Sequence, residues 1–435
     1  MSPSIPRLPI VGDPLRRARI PSDLGSVTTV GEEERAGDGG LSDELVERLW
    51  EAGTDLYRSG VHPALQLCVR RHGHVVLDRA VGHSHGNGPN DPDSGPRELV
   101  TPETPFCVYS TSKSITAAVV HLLEERGALS IEDKVGEHIP GYARHGKHDI
   151  TIGHVLSHRA GVASMPQESF DLDKLTDREF LLEAICDAKP NYKPGQMLAY
   201  HAVSGGFILG EIVHRVTGKT IREVLAEEVL DPLGFRWGNF GVAAADVGAV
   251  GEDYVTGPRL LPPVSLIVTR ALGAPLDQVI EAANDARFRT AIVPAANVIT
   301  TANELSRFYE LLRCGGELDG VRVMEPATIR RALTEQSHLE VDLSLGFPTR
   351  FSYGFMLGAK LISLYGRDTD EAFGHLGLIN IMGWADPERG VSVGLITSGK
   401  AIVYPELRRF LGVMSRIASE VPKVDPDERA FSDGH

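Results

Sequence analysis

Phe106-Cys107-Val108-Tyr109-Ser110-Thr111-Ser112-Lys113 is the stretch on which the reading of this chain turns. Behind it, Ile115, Ala118, Val119, Leu122 and Leu123 recur at helical spacing up to Arg126, and Gly127 stops the pattern. Apolar residues on most sides predict a buried central helix running from Ser110 to Arg126. Ser110 and Lys113 stand three residues apart, which puts them on one helix face, one turn from each other. A serine hydroxyl is a poor nucleophile at neutral pH until a base lies within hydrogen-bond reach and donors await the developing oxyanion. Burial lowers a lysine's pKa and makes its neutral amine accessible, and the helix N-terminus supplies unpaired amides. The tetrapeptide S-x-x-K alone also fits an ordinary helix start with an exposed lysine. The apolar context favours the catalytic reading, because a lysine this far into such a helix is costly to bury without a task.

Working outward toward the N-terminus, residues 82–105 are turn-rich (HSHGNGPNDPDSGP) and read as a long surface loop. Within it, Gly82-His83-Ser84-His85-Gly86 matches G-x-S-x-G, the nucleophile elbow of the α/β-hydrolase fold. That motif needs a helix immediately after it, and Asn87-Gly88-Pro89-Asn90-Asp91-Pro92 cannot start one, so Ser84 reads as a polar loop residue. Before the loop, two β-rich runs, Ala64–Arg71 and His74–Val81, meet at His72-Gly73 as a hairpin. Ser42 precedes a helical pattern with Leu45, Leu49 and Trp50 on one face, ending at Gly60. Residues 1–40 carry Pro, Gly and charge with little periodicity and read as a flexible or loosely draped extension.

Toward the C-terminus, helical segments are expected at Arg178–Ala188, Val203–Thr217, Ile221–Val229 and Ala302–Gly315. Strands return at Leu378–Ala385 and Val391–Ser398, flanking the turn Asp386-Pro387-Glu388-Arg389-Gly390, and a last helix covers about Pro405–Ala418. Strands near both chain ends with helices between them argue for one antiparallel sheet assembled from both ends, with a helical insertion on one side. There is no internal repeat.

The 435 residues, 42% hydrophobic and 24% charged, suffice for one large domain or two ordinary ones. A formal charge of −15 without any basic stripe disfavours a nucleic-acid role. Met1–Ile20 holds no apolar run of signal-peptide length, and no stretch approaches the roughly 18 apolar residues of a membrane span. Cys68, Cys107, Cys186 and Cys314 form no C-x-x-C and read as reduced or buried thiols, so a metal cluster is not expected and cytoplasm is the default address.

The nucleophile segment, continued by Ser114-Ile115-Thr116-Ala117, resembles that of class C β-lactamases and their esterase and peptidase relatives. Further segments agree in order. Ile150–Gly161 is similar to the family's T-I-x-x-L-L-x-H-x-S-G stretch, and Pro194-Gly195 through Tyr200 and on to Thr217-Gly218 resembles the segment carrying its tyrosine. Leu230–Gly234 and Leu318-Asp319-Gly320 fit, and Phe373-Gly374-His375-Leu376-Gly377 with Asp386-Pro387 looks like the third motif. The resemblance covers roughly 42–420. It implies a serine β-lactamase/penicillin-binding-protein-like transpeptidase fold of the α/β (α+β) class: an antiparallel sheet flanked by helices, with a mostly helical second lobe. The implied organisation is an extension over 1–40, a catalytic domain over 41–420 (sheet lobe about 41–130 plus 345–420, helical lobe about 131–344) and a flexible tail over 421–435.

Carried over by resemblance, Ser110 is the acylated nucleophile, Lys113 its proton acceptor and Tyr200 the second member of the base pair, its phenol lowered in pKa by the ammonium beside it. His375 and Gly377 line the substrate pocket, the glycine letting substrate approach the backbone. The amides of Ser110 and Leu378 form the oxyanion hole. His158 falls on a structural stretch and reads as packing. Two departures matter. The family often has Y-x-N where this chain has Tyr200-His201-Ala202, and His375 stands where β-lactamases present a lysine for the drug's carboxylate. Both favour esters, in the manner of family VIII carboxylesterases or lipases, over β-lactams or peptides. The expected partner is a small-molecule ester, with no metal or organic cofactor; the alternatives are a β-lactamase, a D-amino-acid peptidase, an acyltransferase or a non-catalytic binder on the same scaffold. The apolar run Leu260–Val268 with Pro262-Pro263 reads as an acyl pocket, a lid or plain packing.

Overall fold

A tight hairpin starts the sheet. Strands β2 (Ala64–Arg71) and β3 (His74–His85) pair antiparallel down to Arg71 opposite His74. His72 and Gly73 between them both have positive φ (52° and 89°), the backbone that matches a two-residue turn to strand twist. In this computed structural model, which describes residues 13–162, 171–402, 404, 407–426 and 429, the hairpin grows into a ten-stranded antiparallel sheet. The other members are β1 (Thr28–Val30), β4 (Glu98–Leu99), β5 (Ser337–Val341), β6 (Pro348–Phe351), β7 (Met356–Leu357), β8 (Phe373–Gly377), β9 (Ile381–Asp386) and β10 (Val391–Thr397). The order is β1-β3-β2-β10-β9-β8-β7-β6-β5, with β4 pairing β3. Strands from both chain ends therefore meet at β2–β10, Leu65 opposite Thr397 and Arg71 opposite Val391.

Period-two alternation sorts the side chains of β2. Leu65, Leu67 and Val69 join the core under helix α1 (Asp43–Tyr57) and the last helix α7 (Leu407–Glu420). Cys68 and Arg70 face the opposite side, where they meet Ser306 of helix α6 (Ala302–Arg313). Ser42 caps α1 by accepting from Leu45 N–H at 3.2 Å, and Leu45, Leu49, Trp50 and Leu56 are buried along one stripe. Helix α6 lies close on the central strands, where a side chain at Gly383 would strike Leu305 and Tyr309, and one at Gly394 would strike the backbone of Ala302. Chain order places this helix in the helical lobe; packing places it on the sheet. The lobe beside the sheet is built from α2 (Ser112–Glu125), α3 (Arg178–Asp187), α4 (Ser204–Thr217) and α5 (Val264–Leu272), with smaller helices between them.

Three local expectations change. The segment 82–105 is not a surface loop at its start, because β3 continues through His85 and Ser84 is only 1% exposed. Residues 13–40 lie along the sheet: β1 pairs with β3, and Ala18 N–H bonds Gly60 O. Composition had pointed to looseness there, but the segment's own periodicity is weak because the sheet edge, not its sequence, organises it. The ninth strand begins at Ile381 rather than Leu378, since residues 378–380 turn. The expected helix start at Pro405, residues 1–12 and most of the tail beyond 426 lie outside the described residues.

Candidate active site

The short strand Phe106–Cys107 pairs with Val298–Thr300, and Val108 N–H adds a bond to Val298 O at 2.9 Å. Tyr109 then takes φ +47°, which breaks the extended run and reverses the chain. A 3-10 turn, Tyr109–Thr111, precedes α2, so Ser110 sits in that turn and the α-helix proper begins at Ser112, two residues later than the periodicity implies. Buried hydroxyls tie the turn down: Ser112 Oγ accepts from Val298 N–H at 2.9 Å, and Ser114 Oγ donates to Thr111 O at 2.8 Å. The phenol of Tyr109 donates to Asp253 Oδ2 at 2.7 Å, and the other oxygen of Asp253 lies 3.0 Å from Lys400 Nζ. Lys400 also donates to Thr397 O and stands 5.1 Å over the Tyr109 ring. The strained residue before Ser110 is thus held by a buried ion pair.

Lys113 Nζ lies 3.1 Å from Ser110 Oγ, 2.8 Å from Ala202 O and 3.0 Å from Ala295 O. The side chain is buried, and none of these partners carries charge. Burial alone pulls the amine's pKa from 10.5 to about 7. At the position where the family often has the asparagine of Y-x-N, this chain presents the backbone carbonyl of Ala202 to the lysine.

Tyr200 belongs to the same cluster. Its ring lies under Lys113 Nζ at 4.7 Å, 4.6 Å from the His158 ring and 6.1 Å from that of His375. Its backbone N–H donates to Asp342 Oδ1 at 3.1 Å, a carboxylate oxygen that also accepts from the amides of Ser344 and Leu345. The expected acidic phenol is not found. Burial pushes the Tyr200 pKa up, and the hydrogen bond with Ser110 offsets this only in part. A lysine held at about 7 offers the phenol little positive charge, so desolvation wins.

Three histidines surround this pair, all pushed below the ordinary imidazole range. Burial lowers His201 and His375 to about 3, assisted by the charge of Lys113, and lowers His158 as well, assisted by His201 and Lys113. His158 packs on Tyr200 and Phe351, as its structural motif implies, and its Nδ1 accepts from His201 N–H at 3.2 Å. His375 Nδ1 donates to Leu376 O at 2.8 Å, which leaves Nε2 as an acceptor with no hydrogen-bond partner among the described residues.

Strand β8 brings its end against the Ser110 turn. A Cβ at Gly377 would strike Val108 O and come within 2.8 Å of Thr111 Oγ1, so this glycine admits the turn rather than the substrate. Thr111 Oγ1 donates to His375 O at 3.3 Å across the same contact. Leu378 follows with φ +26° and Ile379 with φ +71°, a reversal that non-glycine residues rarely adopt. Asn380 anchors it: Nδ2 donates to Ala401 O at 3.0 Å, and Oδ1 accepts from the Tyr404 hydroxyl at 3.0 Å. Of the residues expected to supply the two oxyanion amides, Ser110 lies in the turn that the end of β8 touches, and Leu378 directly follows that strand. Sequence reading missed Tyr109, Asp253, Lys400, Asp342, Asn380 and the carbonyl of Ala295; only strained φ at 109 and 378–379 flags part of this set, and φ is not written in sequence. Ser84 lies elsewhere, bonded to Glu98 O at 3.4 Å and His85 Nδ1 at 3.0 Å. Among the described residues, no cluster of His, Cys, Asp or Glu is arranged to hold a metal ion, and no helix is long and apolar enough to cross a membrane.

An antiparallel sheet flanked by helices, with the end of an inner strand against a Ser-x-x-Lys turn, defines the β-lactamase/penicillin-binding-protein class of fold. The chain belongs to the Beta-lactamase family, whose profile matches residues 43–409. This family of serine hydrolases includes carboxylesterases and penicillin-binding-protein-like members. The chain is 28% identical over 300 residues to the esterase/β-lactamase LipL of Mycobacterium tuberculosis, covering 66% of this chain and 68% of that one. It is 26% identical to penicillin-binding protein 4 of Amycolatopsis lactamdurans, over 69% of this chain and 74% of that protein. Among solved structures, it is similar to a family VIII carboxylesterase (TM-score 0.73, 26% identity, 87% of this chain and 98% of the other). A penicillin-binding protein homologue from Caulobacter crescentus matches with TM-score 0.71, 26% identity and the same coverages.

Proposed function

We propose that this protein hydrolyses carboxylic esters through an acyl-enzyme on Ser110. The observation that carries this reading is the position of Lys113 Nζ, 3.1 Å from Ser110 Oγ, with no carboxylate pairing it among the described residues and a pKa near 7. The neutral amine takes the Ser110 proton as Oγ bonds to the ester carbonyl carbon. The amides of Ser110 and Leu378 hold the resulting oxyanion. Collapse expels the alcohol, and the neutral phenol of Tyr200 gives it a proton that Lys113 then replaces. Water, deprotonated by the same pair, attacks the acyl carbon and restores Ser110. A phenol kept neutral by burial suits this relay, since it begins each turnover with a proton to give.

The third motif supports esters over β-lactams. His375 supplies no cation for a drug carboxylate: it is uncharged and only 1% exposed, with its Nε2 enclosed rather than lining an open pocket as expected. The similarity to a family VIII carboxylesterase points the same way, whereas the name of LipL carries both activities. The test is hydrolysis of p-nitrophenyl esters from acetate to palmitate, with nitrocefin alongside and Ser110→Ala as control. Serine-dependent ester cleavage without nitrocefin turnover is expected, and the chain-length optimum then sizes the acyl pocket. Nitrocefin cleavage without ester cleavage overturns the substrate assignment, and full activity in Ser110→Ala overturns the nucleophile.

A further inference from the structure

Helix α5 is apolar at every position but Ser265, Thr269 and Arg270, yet none of its nine residues is buried. An apolar helix face in a globular protein is normally turned to the core. Here one side, Val268 and Leu272 together with Leu260, rests on the core and keeps the helix in place. The other side meets solvent: Pro263, Leu266, Ile267 and Arg270 follow the i, i+3, i+4, i+7 spacing of a single face and are all exposed. Leu266 is 65% exposed, Ile267 56%, and the preceding Leu261 71%.

The charge around this face is equally uneven. The chain carries −15 overall, yet residues 254–276 contain no acid and two exposed arginines, Arg259 and Arg270. The next acid, Asp277, lies 3.8 Å from Arg16. The segment has a firm base, since Tyr254 and Val255 pair with Gly399 and Lys400, and Gly257 O accepts from Arg16 Nε at 2.9 Å. At its root, Asp253 receives the phenol of Tyr109, the residue before Ser110.

We infer that this apolar face, flanked by Arg259 and Arg270, docks on a lipid surface bearing anionic headgroups. Leucine and isoleucine side chains enter the acyl boundary while the arginines reach phosphates, the division of labour of an interfacial helix. A second copy of the chain fits less well. A two-fold contact would set the patch against itself and its arginines against each other, with no acid inside the patch to pair them. Docking would bring the root of the segment, and with it the Ser110 turn, toward acyl esters carried in the lipid. The inference does not depend on ester hydrolysis, because its readout is binding.

The experiment is co-sedimentation of the full chain with vesicles of phosphatidylcholine alone and of an equimolar mixture with phosphatidylglycerol. Wild type is expected to bind the mixed vesicles, with binding reduced severalfold in about 0.5 M salt. Leu266→Glu/Ile267→Glu should lower the bound fraction at least roughly tenfold, and Arg259→Glu/Arg270→Glu severalfold on mixed vesicles. Being surface substitutions, both pairs should leave thermal unfolding and turnover of soluble p-nitrophenyl acetate at wild-type values. Failure of wild type to bind mixed vesicles overturns the inference, as does undiminished binding by the Leu266/Ile267 variant. A lipid-free wild-type dimer that this variant splits into monomers, seen by analytical ultracentrifugation, overturns it in favour of a second copy.

Discussion

Two lysines lie buried within one neighbourhood of this molecule, and their surroundings differ in one group. Lys400 has a carboxylate, Asp253 Oδ1 at 3.0 Å, and the pair braces Tyr109. Lys113 has only neutral oxygens: the hydroxyl of Ser110 and the carbonyls of Ala202 and Ala295. A buried ammonium beside a carboxylate is an ion pair and therefore a strut. A buried ammonium among carbonyls is stabilised too little to hold its ordinary pKa, and at about 7 a large share of the amine is neutral at neutral pH, as the proposed base requires. On the proposed mechanism the same residue type serves structure at Lys400 and proton transfer at Lys113, and the carboxylate of Asp253 is what separates the two surroundings.

The comparison breaks most visibly at Lys113 itself. Ser110→Ala and Lys113→Ala should each lower turnover of a p-nitrophenyl ester by at least roughly a thousandfold, and the double variant should fall little further, because nucleophile and base act as a unit. Lys400→Met should act on stability first. It leaves Asp253 buried and unpaired, for an expected loss on the order of 3 kcal/mol in urea unfolding, with wild-type turnover recovering least where the Tyr109 turn is most disturbed.

The pH profile sharpens the contrast. Only the neutral amine accepts a proton, and burial holds Lys113 at about 7, so kcat/KM should rise about tenfold per pH unit below that value and level off above it. A limb near the ordinary lysine value of 10.5 would mean that burial does not hold Lys113 at about 7. The sign for stability follows. Between about 7 and 10.5 the unfolded chain binds a proton that the folded chain has released, so the contribution of this position to stability rises with pH across that window. The smallest effect belongs to Ser84→Ala. Its hydroxyl makes one long bond to Glu98 O and one to His85, and ester turnover should stay within about a factor of two.

Legibility followed the range of the interactions involved. The hairpin at His72-Gly73, helix α2 and the three-residue spacing of Ser110 and Lys113 are local, and periodicity and turn chemistry read them to within a few residues. Ser84 shows the converse failure. Its turn-rich surroundings read as a loop, but pairing of β3 with β4 and β1 draws the segment into the sheet. Leu378 shows another. Its apolar run reads as strand, whereas Asn380, tied to Ala401 and Tyr404, holds residues 378–380 as a turn.

The sequence by itself determined which groups meet within one helix turn, since backbone geometry fixes neighbours three residues apart whatever the fold around them. The ionisation of those groups was decided only by tertiary structure. The carbonyls that hold Lys113 come from positions 89 and 182 residues away, and the burial that lowers its pKa while raising that of Tyr200 is a property of the assembled core. Desolvation depends on everything packed around a charge, and no local pattern of residues encodes that.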